Sequence, residues 1–186
     1  SSDRLIWLSN NTEFDNSQIQ YVINPNDEFG LIRAIWFKEK TGATVDVINV
    51  GLNNTEQTLR KALAIGADKA VRINTNPKCS KVVAKSISKY LESNQYDLII
   101  AGRESIDYNG GMVGGILATC LEIPYVSNCI QLEVIDKELA LQREIDGGKE
   151  TLEANFPLLI GAQKGLVEEI DLIIPNMRGI MQARQK

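Results

Sequence analysis

Histidine is absent from this chain of 186 residues. Its absence removes the commonest general base, the commonest metal ligand and every Ser-His or Cys-His nucleophile pair. Cysteine is scarce. Cys79, Cys120 and Cys129 are an odd number with no C-x-x-C spacing, which argues against zinc and for free thiols in a reducing compartment. Long apolar runs are missing too: stretches such as Leu98-Ile99-Ile100-Ala101 are far too short to cross a bilayer, so no membrane insertion is expected. Nor is there a surplus of positive charge. A net charge of −4 gives a field that repels phosphate backbones and argues against nucleic-acid binding. Ser1-Ser2-Asp3-Arg4 offers neither a start methionine nor a signal pattern, so the chain reads as beginning inside a longer gene product.

What is present is ordinary for a soluble protein, with 44% hydrophobic and 24% charged residues. A chain of this size buries roughly 70% of its unfolded surface, enough for a single domain over 1–186. Its central region alternates strand-like and helix-like periodicity, which predicts an α/β fold, doubly wound, with a mainly parallel sheet and helices on both faces. Asn24-Pro25 reads as the N-cap and first residue of a helix whose Phe29, Ile32, Ile35 and Trp36 share one face, with Gly42 after its end. Strands follow at Thr44–Val50 and Ala70–Ile73, with a helix from Thr55 to about Ile65 closed by Gly66. A third helix is expected from Pro77 to about Asn94. The unbroken run Tyr96–Ala101 predicts a strand at the middle of the sheet, with a ligand at its C-terminal end. Beyond Pro124 the pattern changes to antiparallel strands at Val126–Val134 and Leu139–Ile145, joined through Asp136-Lys137. Past Pro175 the chain turns basic, and no closing element is visible.

The most informative stretch runs from Ala101 to Gly115 and includes Ser105, Tyr108, Gly110, Gly111, Met112, Val113 and Gly114. Its glycines allow backbone amides to approach a phosphate at a helix N-terminus; equally, they allow a helix to pack closely on a sheet. The stretch is neither G-x-G-x-x-G nor a P-loop. A second cluster, Arg143-Glu144-Ile145-Asp146-Gly147-Gly148-Lys149-Glu150, reads either as paired carboxylates around a turn or as a solvated hairpin.

Together these clusters resemble electron transfer flavoprotein beta subunits. The second is similar to that family's signature, a basic residue, an acid, Asp-Gly-Gly, a further Glu, a hydrophobe and a downstream proline. The first is similar to its adenine-nucleotide loop, A-G-[KR], a spacer, then I-D. Ile23-Asn24-Pro25, Leu59–Asp68 and Ile174-Pro175-Asn176-Met177 add to the match, which covers nearly the whole chain. The resemblance implies an adenine nucleotide alpha hydrolase-like fold and a heterodimer with an alpha subunit that holds a redox-active FAD. It implies an electron carrier subunit rather than an enzyme. Electrons would come from acyl-CoA or other flavin dehydrogenases and go to a quinone-reducing or other acceptor, in the bacterial cytoplasm or the mitochondrial matrix of a eukaryote. Relative to the family pattern the chain lacks the first sheet strand and the long C-terminal arm.

The resemblance places nucleotide contacts on Asn24, Val50, Ser105, Tyr108, Gly110, Gly111, Met112, Val113 and Gly114. AMP-binding members often show Asn-Gln-Thr where this chain has Gly111-Met112-Val113. Members with a second FAD often show Val-Gly where it has Val113-Gly114, so AMP and FAD both stay open. The family's dehydrogenase-docking loop falls on about Ala162–Ile173, with Leu166 as its anchor; read without the family, Leu166 folds back into its own domain. A different class of protein, an adenine-nucleotide-binding regulatory module like the universal stress proteins, shares the general plan but has little use for Asp146-Gly147-Gly148. An enzyme cleaving an adenylated substrate fits least, without histidine or a P-loop.

Overall fold

The computed structural model describes residues 25–102, 112–135, 138–168 and 177–185, with side chains from Glu28 onward. Helix α1 spans Pro25–Thr41 and buries Phe29, Ile32 and Ile35, spaced for one face; Trp36 is half-buried beneath the Arg33 guanidinium. Gly42, at φ +74°, ends the helix and donates to the Lys38 carbonyl. Strand β1 (Asp46–Val50) follows, then helix α2 (Glu56–Ile65), strand β2 (Lys69–Ile73) and helix α3 (Ser80–Leu91). Gly66, at φ +143°, closes α2 as expected, and Asn94 caps α3 by donating Nδ2 to the Tyr90 carbonyl. Pro77 does not start α3. It sits in a turn where the Lys78 amide bonds the Asn76 carbonyl, and the helical bonds begin at the Cys79 carbonyl, which accepts from Val82 and Val83.

Asp68 fixes how α1, β1 and β2 meet. Its carboxylate accepts from Lys38 Nζ at 2.5 Å through Oδ1 and from the Val45 amide at 2.8 Å through Oδ2. Lys38 Nζ also bonds the Gly66 carbonyl, so one lysine and one aspartate tie the end of α1 to both strands.

Strand β3 (Leu98–Gly102), helix α4 (Met112–Leu121) and strands β4 (Tyr125–Ile135), β5 (Glu138–Ile145), β6 (Gly148–Ala154) and β7 (Leu158–Ala162) follow, and helix α5 (Met177–Gln185) comes last. The described strands form two sheets. One is the parallel pair β1-β2; the other has the order β3-β7-β4-β5-β6, parallel from β3 to β4 and antiparallel beyond. β3 pairs only with β7 among the described residues and is half-buried, whereas every residue of β7 is buried. The run Leu158–Ala162 was not read as a strand because it is short and follows Pro157; its burial between β3 and β4 needs non-local pairing. Helix α5 was also missed. It packs on α2, where Arg60 Nη1 donates to the Ala183 carbonyl.

Alternation along the strands separates two helix-covered faces. Val47 packs with α1 and α2; Ile48, Val50, Ile99, Ala101 and Leu159 pack with α3 and α4. The fold is therefore α/β with a mixed sheet between helices, as the periodicity predicts.

Candidate nucleotide site

At the rim formed by the C-terminal ends of β1 and β3, the backbone is held more tightly than the side chains. Val50 is fully buried in the cluster with α3 and α4, so it can offer a ligand only its backbone. The next residue, Gly51, has no room for a side chain: a Cβ there would lie 2.7 Å from Thr55 Cγ2 and 2.8 Å from Asn49 Oδ1. Its amide bonds the Ile73 carbonyl at 3.1 Å. Thr55, also buried, donates Oγ1 to the Leu52 carbonyl and closes a short 3-10 turn over Asn53–Thr55. At the end of β2, Arg72 Nη1 donates to Asn53 Oδ1 at 2.6 Å and brings a guanidinium beside this loop. Asn49, Gly51, Thr55 and Arg72 were not read as site residues from the sequence. The signal was the Val50-Gly51 pair at a strand end, where a ligand-facing turn is commonly built.

The other side of the rim is β3 and α4. Of the expected contacts, Asn24, Ser105, Tyr108, Gly110 and Gly111 lie outside the described residues. Met112, the first residue of α4, is 64% exposed, and Val113 is half-buried against the α3–α4 cluster. The first turn of α4 carries no acidic residue, so nothing there opposes an anion at the free amides. Gly114 has a different task. A Cβ there would lie 3.0 Å from Tyr125 Cε2 and Oη, so this glycine lets α4 close onto β4. Close helix-to-sheet packing is thus one use of the glycine run, at Gly114.

The Arg143–Glu150 cluster is not brought to this rim. It forms the β5–β6 hairpin, at the opposite edge of the five-stranded sheet from β3, turning through Asp146 and Gly147 with Gly147 at φ +85°. Arg143 Nε pairs with Glu150 Oε2 at 2.5 Å across the hairpin, and Gln163 Nε2 donates to Glu144 Oε2 from the segment after β7. Residues Glu144 to Lys149 are exposed. That is the solvated-hairpin geometry, braced laterally. No group of three or more potential metal ligands occurs among the described residues.

Leu166 is not exposed as a docking anchor but folds back into its own domain, as the residues read without the family predict. Gly165, at φ +105°, turns the chain after β7, the Leu166 amide bonds the Gln163 carbonyl, and the side chain, 4% exposed, joins Val126, Leu132, Leu158 and Ile160 in the core. The turn folds it inward because the free face of β4 and β7 leaves an apolar surface that it covers.

The strands lie between helices in an α/β fold, an architecture whose ligands commonly sit at the C-terminal ends of its strands. The electron transfer flavoprotein domain matches residues 12–186, and the chain belongs to that family. It is 36% identical over 171 residues to the electron transfer flavoprotein subunit beta of Bacillus subtilis, covering 90% of this chain and 65% of that protein. The beta subunit of Thermoanaerobacterium thermosaccharolyticum is 34% identical over 169 residues, 89% of this chain and 64% of the relative. For the human beta subunit the values are 30% over 174 residues, 90% and 67%. The chain thus spans just under two thirds of the length of the two bacterial relatives.

Proposed function

We propose that this chain is the nucleotide-binding body of the beta subunit of a heterodimeric electron transfer flavoprotein, and that it carries electrons without catalysing a reaction of its own. The observation that carries the reading is the rim at Val50, Gly51, Met112 and Val113, where closely held backbone at the end of β1 lies beside a helix whose first turn carries no acidic residue. What supports a nucleotide phosphate here is the N-terminus of α4, whose first turn carries no acidic residue and whose first amides favour an anion. The expected contacts Asn24, Ser105, Tyr108, Gly110 and Gly111 belong to the same proposal. So does the choice of AMP, with a second FAD as the alternative occupant. The bound nucleotide would be structural, the redox flavin being held with an alpha subunit. Flavin dehydrogenases would donate electrons, and a quinone-reducing or other acceptor would receive them. No helix among the described residues is long and apolar enough to cross a membrane, which fits a carrier meeting its partners in the cytoplasm or a mitochondrial matrix.

Co-expression with an alpha subunit tests this reading. The expected result is a yellow heterodimer releasing, on denaturation, FAD and one adenine nucleotide, while the isolated chain is colourless and turns over no substrate. Replacing Gly111 with Val is expected to lower nucleotide content with the fold retained. Stoichiometric redox-active FAD on the isolated chain, or nucleotide at wild-type occupancy in Gly111→Val, would refute the proposal.

A further inference from the structure

Helix α3 presents one kind of residue to solvent. Val83, Ala84, Ile87 and Leu91 bury its inner face in the cluster shared with α4 and β1, and its fully exposed positions are Lys81, Lys85 and Lys89 alone. Spacing of i, i+4 and i+8 sets the three ammonium groups in a row, with the outer Cα atoms about 12 Å apart along the axis. Lys78, also exposed, precedes the helix. Lys69 of β2 joins the other end, where its Nζ donates to Tyr90 Oη at 3.2 Å. These cations lie together in a chain whose net charge is −4.

The packing of α3 gives no use for the row. Like charges four residues apart disfavour a helix, and α3 carries no acidic residue to offset them. Among the described residues, the side chains of Lys78, Lys81, Lys85 and Lys89 have no ion-pair or hydrogen-bond partner. Acid is concentrated elsewhere. Glu133, Glu138, Glu144, Glu150 and Glu153 lie on β4, β5 and β6, and β5 and β6 end the five-stranded sheet on the side away from β3. The chain is therefore polarised, and the face that turns towards a negative surface is that of α3.

The chemistry of the row selects its partner. Protein interfaces are anchored by buried aromatic, Met and Arg side chains and are depleted in lysine, and none of the exposed large hydrophobic residues lies on α3 or β2. Nucleic acids are gripped by the arginine fork, and α3 has no arginine. Lysine is a compact, hydrated point charge on a flexible stem, suited to anionic headgroups that move laterally and need no matching shape. We propose that Lys69, Lys78, Lys81, Lys85 and Lys89 form a membrane-surface face, holding the chain by charge on a bilayer rich in anionic phospholipid, with α3 lying along the headgroups. The contact is peripheral, since no exposed large hydrophobic residue of α3 is available to enter the hydrocarbon.

Co-sedimentation of the full chain with lipid vesicles tests this. Binding is expected to vesicles of phosphatidylcholine mixed with phosphatidylglycerol, and not to phosphatidylcholine alone. Raising the salt from about 0.1 M to about 1 M shortens the screening length from about 10 Å to about 3 Å and should abolish it. Each lysine near an anionic surface contributes a factor of about 5, so Lys81→Gln, Lys85→Gln and Lys89→Gln should each weaken binding about 5-fold and together about 100-fold. Glutamine suits a helix and relieves the repulsion, so the melting point should not fall. Lys40→Gln, Lys149→Gln and Arg178→Gln combined change the net charge equally at exposed positions elsewhere and should leave binding nearly intact. No binding to anionic vesicles, equal binding to neutral ones, or an equal loss in the second triple variant overturns the proposal. So does tighter binding of polyglutamate or duplex DNA through the same lysines, which would assign the face to an acidic protein or a nucleic acid. Vesicle binding that disappears in the heterodimer would place the alpha subunit on α3 and equally overturn it.

Discussion

Tyr96 Oη donates a 2.7 Å hydrogen bond to Asp46 Oδ2, joining the approach to β3 with the first residue of β1 across the division between the two sheets. Tyr96 packs beside Tyr90 on the face covered by α3 and α4, and its phenol pKa is pushed well above the usual 10. Burial is the main cause, and the bonds to Asp46 and Tyr90 add to it.

Removing this hydroxyl is expected to alter the alkaline limb of the stability curve. A phenol whose pKa is raised on folding contributes stability that is complete below about 10, and this is lost as pH rises from the unfolded towards the folded value. Tyr96→Phe should therefore cost about 1 kcal/mol near neutrality through the lost hydrogen bond, yet show a shallower decline above about pH 10. Urea unfolding at a series of pH values measures both. An unchanged alkaline slope would show that Tyr96 does not control it.

Leu166→Ala should lower stability by about 2 to 5 kcal/mol, since the side chain is a core residue between Val126, Leu132 and Leu158. A clearly depressed melting point is the expected reading, measured alongside electron transfer from a dehydrogenase to the heterodimer. If stability falls and transfer at low temperature is normal, Leu166 has no part in docking. An unchanged melting point would contradict its burial.

Gly114→Ala places a methyl 3.0 Å from the Tyr125 ring, and α4 must shift to admit it. The expected loss is about 1 to 3 kcal/mol. Tyr125→Ala in the same chain should recover part of it, because the ring is what the methyl strikes. A double-mutant cycle checks the coupling; simple additivity would place the strain elsewhere.

Two of the three thiols should react with a water-soluble thiol reagent in the folded protein. Cys79 and Cys120 are exposed, whereas Cys129 is buried and its thiol is pushed up to about 11, chiefly by that burial. The thiolate is the nucleophile, so Cys129 is silent at neutral pH until the chain unfolds. Labelling followed by peptide mass mapping, with and without urea, reads this out; labelling of Cys129 in the native chain would contradict the packing.

Much of this architecture was legible locally. Phe29, Ile32 and Ile35 carry the period of α1, and Gly42 and Gly66 mark helix ends whose positive φ values the structure bears out. What was not legible depended on partners distant in sequence. Tyr96–Ala101 and Leu158–Ala162 are both short apolar runs, and nothing within either says that the second lies between β3 and β4. The site followed the same division. Val50 could be placed at a strand end from the sequence and Met112 only within the glycine loop, whereas the crowding of Gly51 by Thr55, and of Gly114 by Tyr125, exists only once the chain is folded. Leu166 was taken as a docking anchor from the family resemblance, whereas the residues read alone had it fold back, and its direction is set by the apolar sheet face beneath it.

The position of β7 also orders events in time. Leu98 pairs with Leu158 and Tyr125 pairs with Leu159, so β3 and β4, made early, are joined only by a strand that leaves the ribosome after both. The hairpins β4–β5 and β5–β6 can close as they emerge, whereas β3 must wait for the partner that covers its β7-facing edge. A ribosome that stalls before Leu158 therefore holds a chain with an unpaired apolar strand edge, the kind of surface that chaperones bind and that aggregates without them.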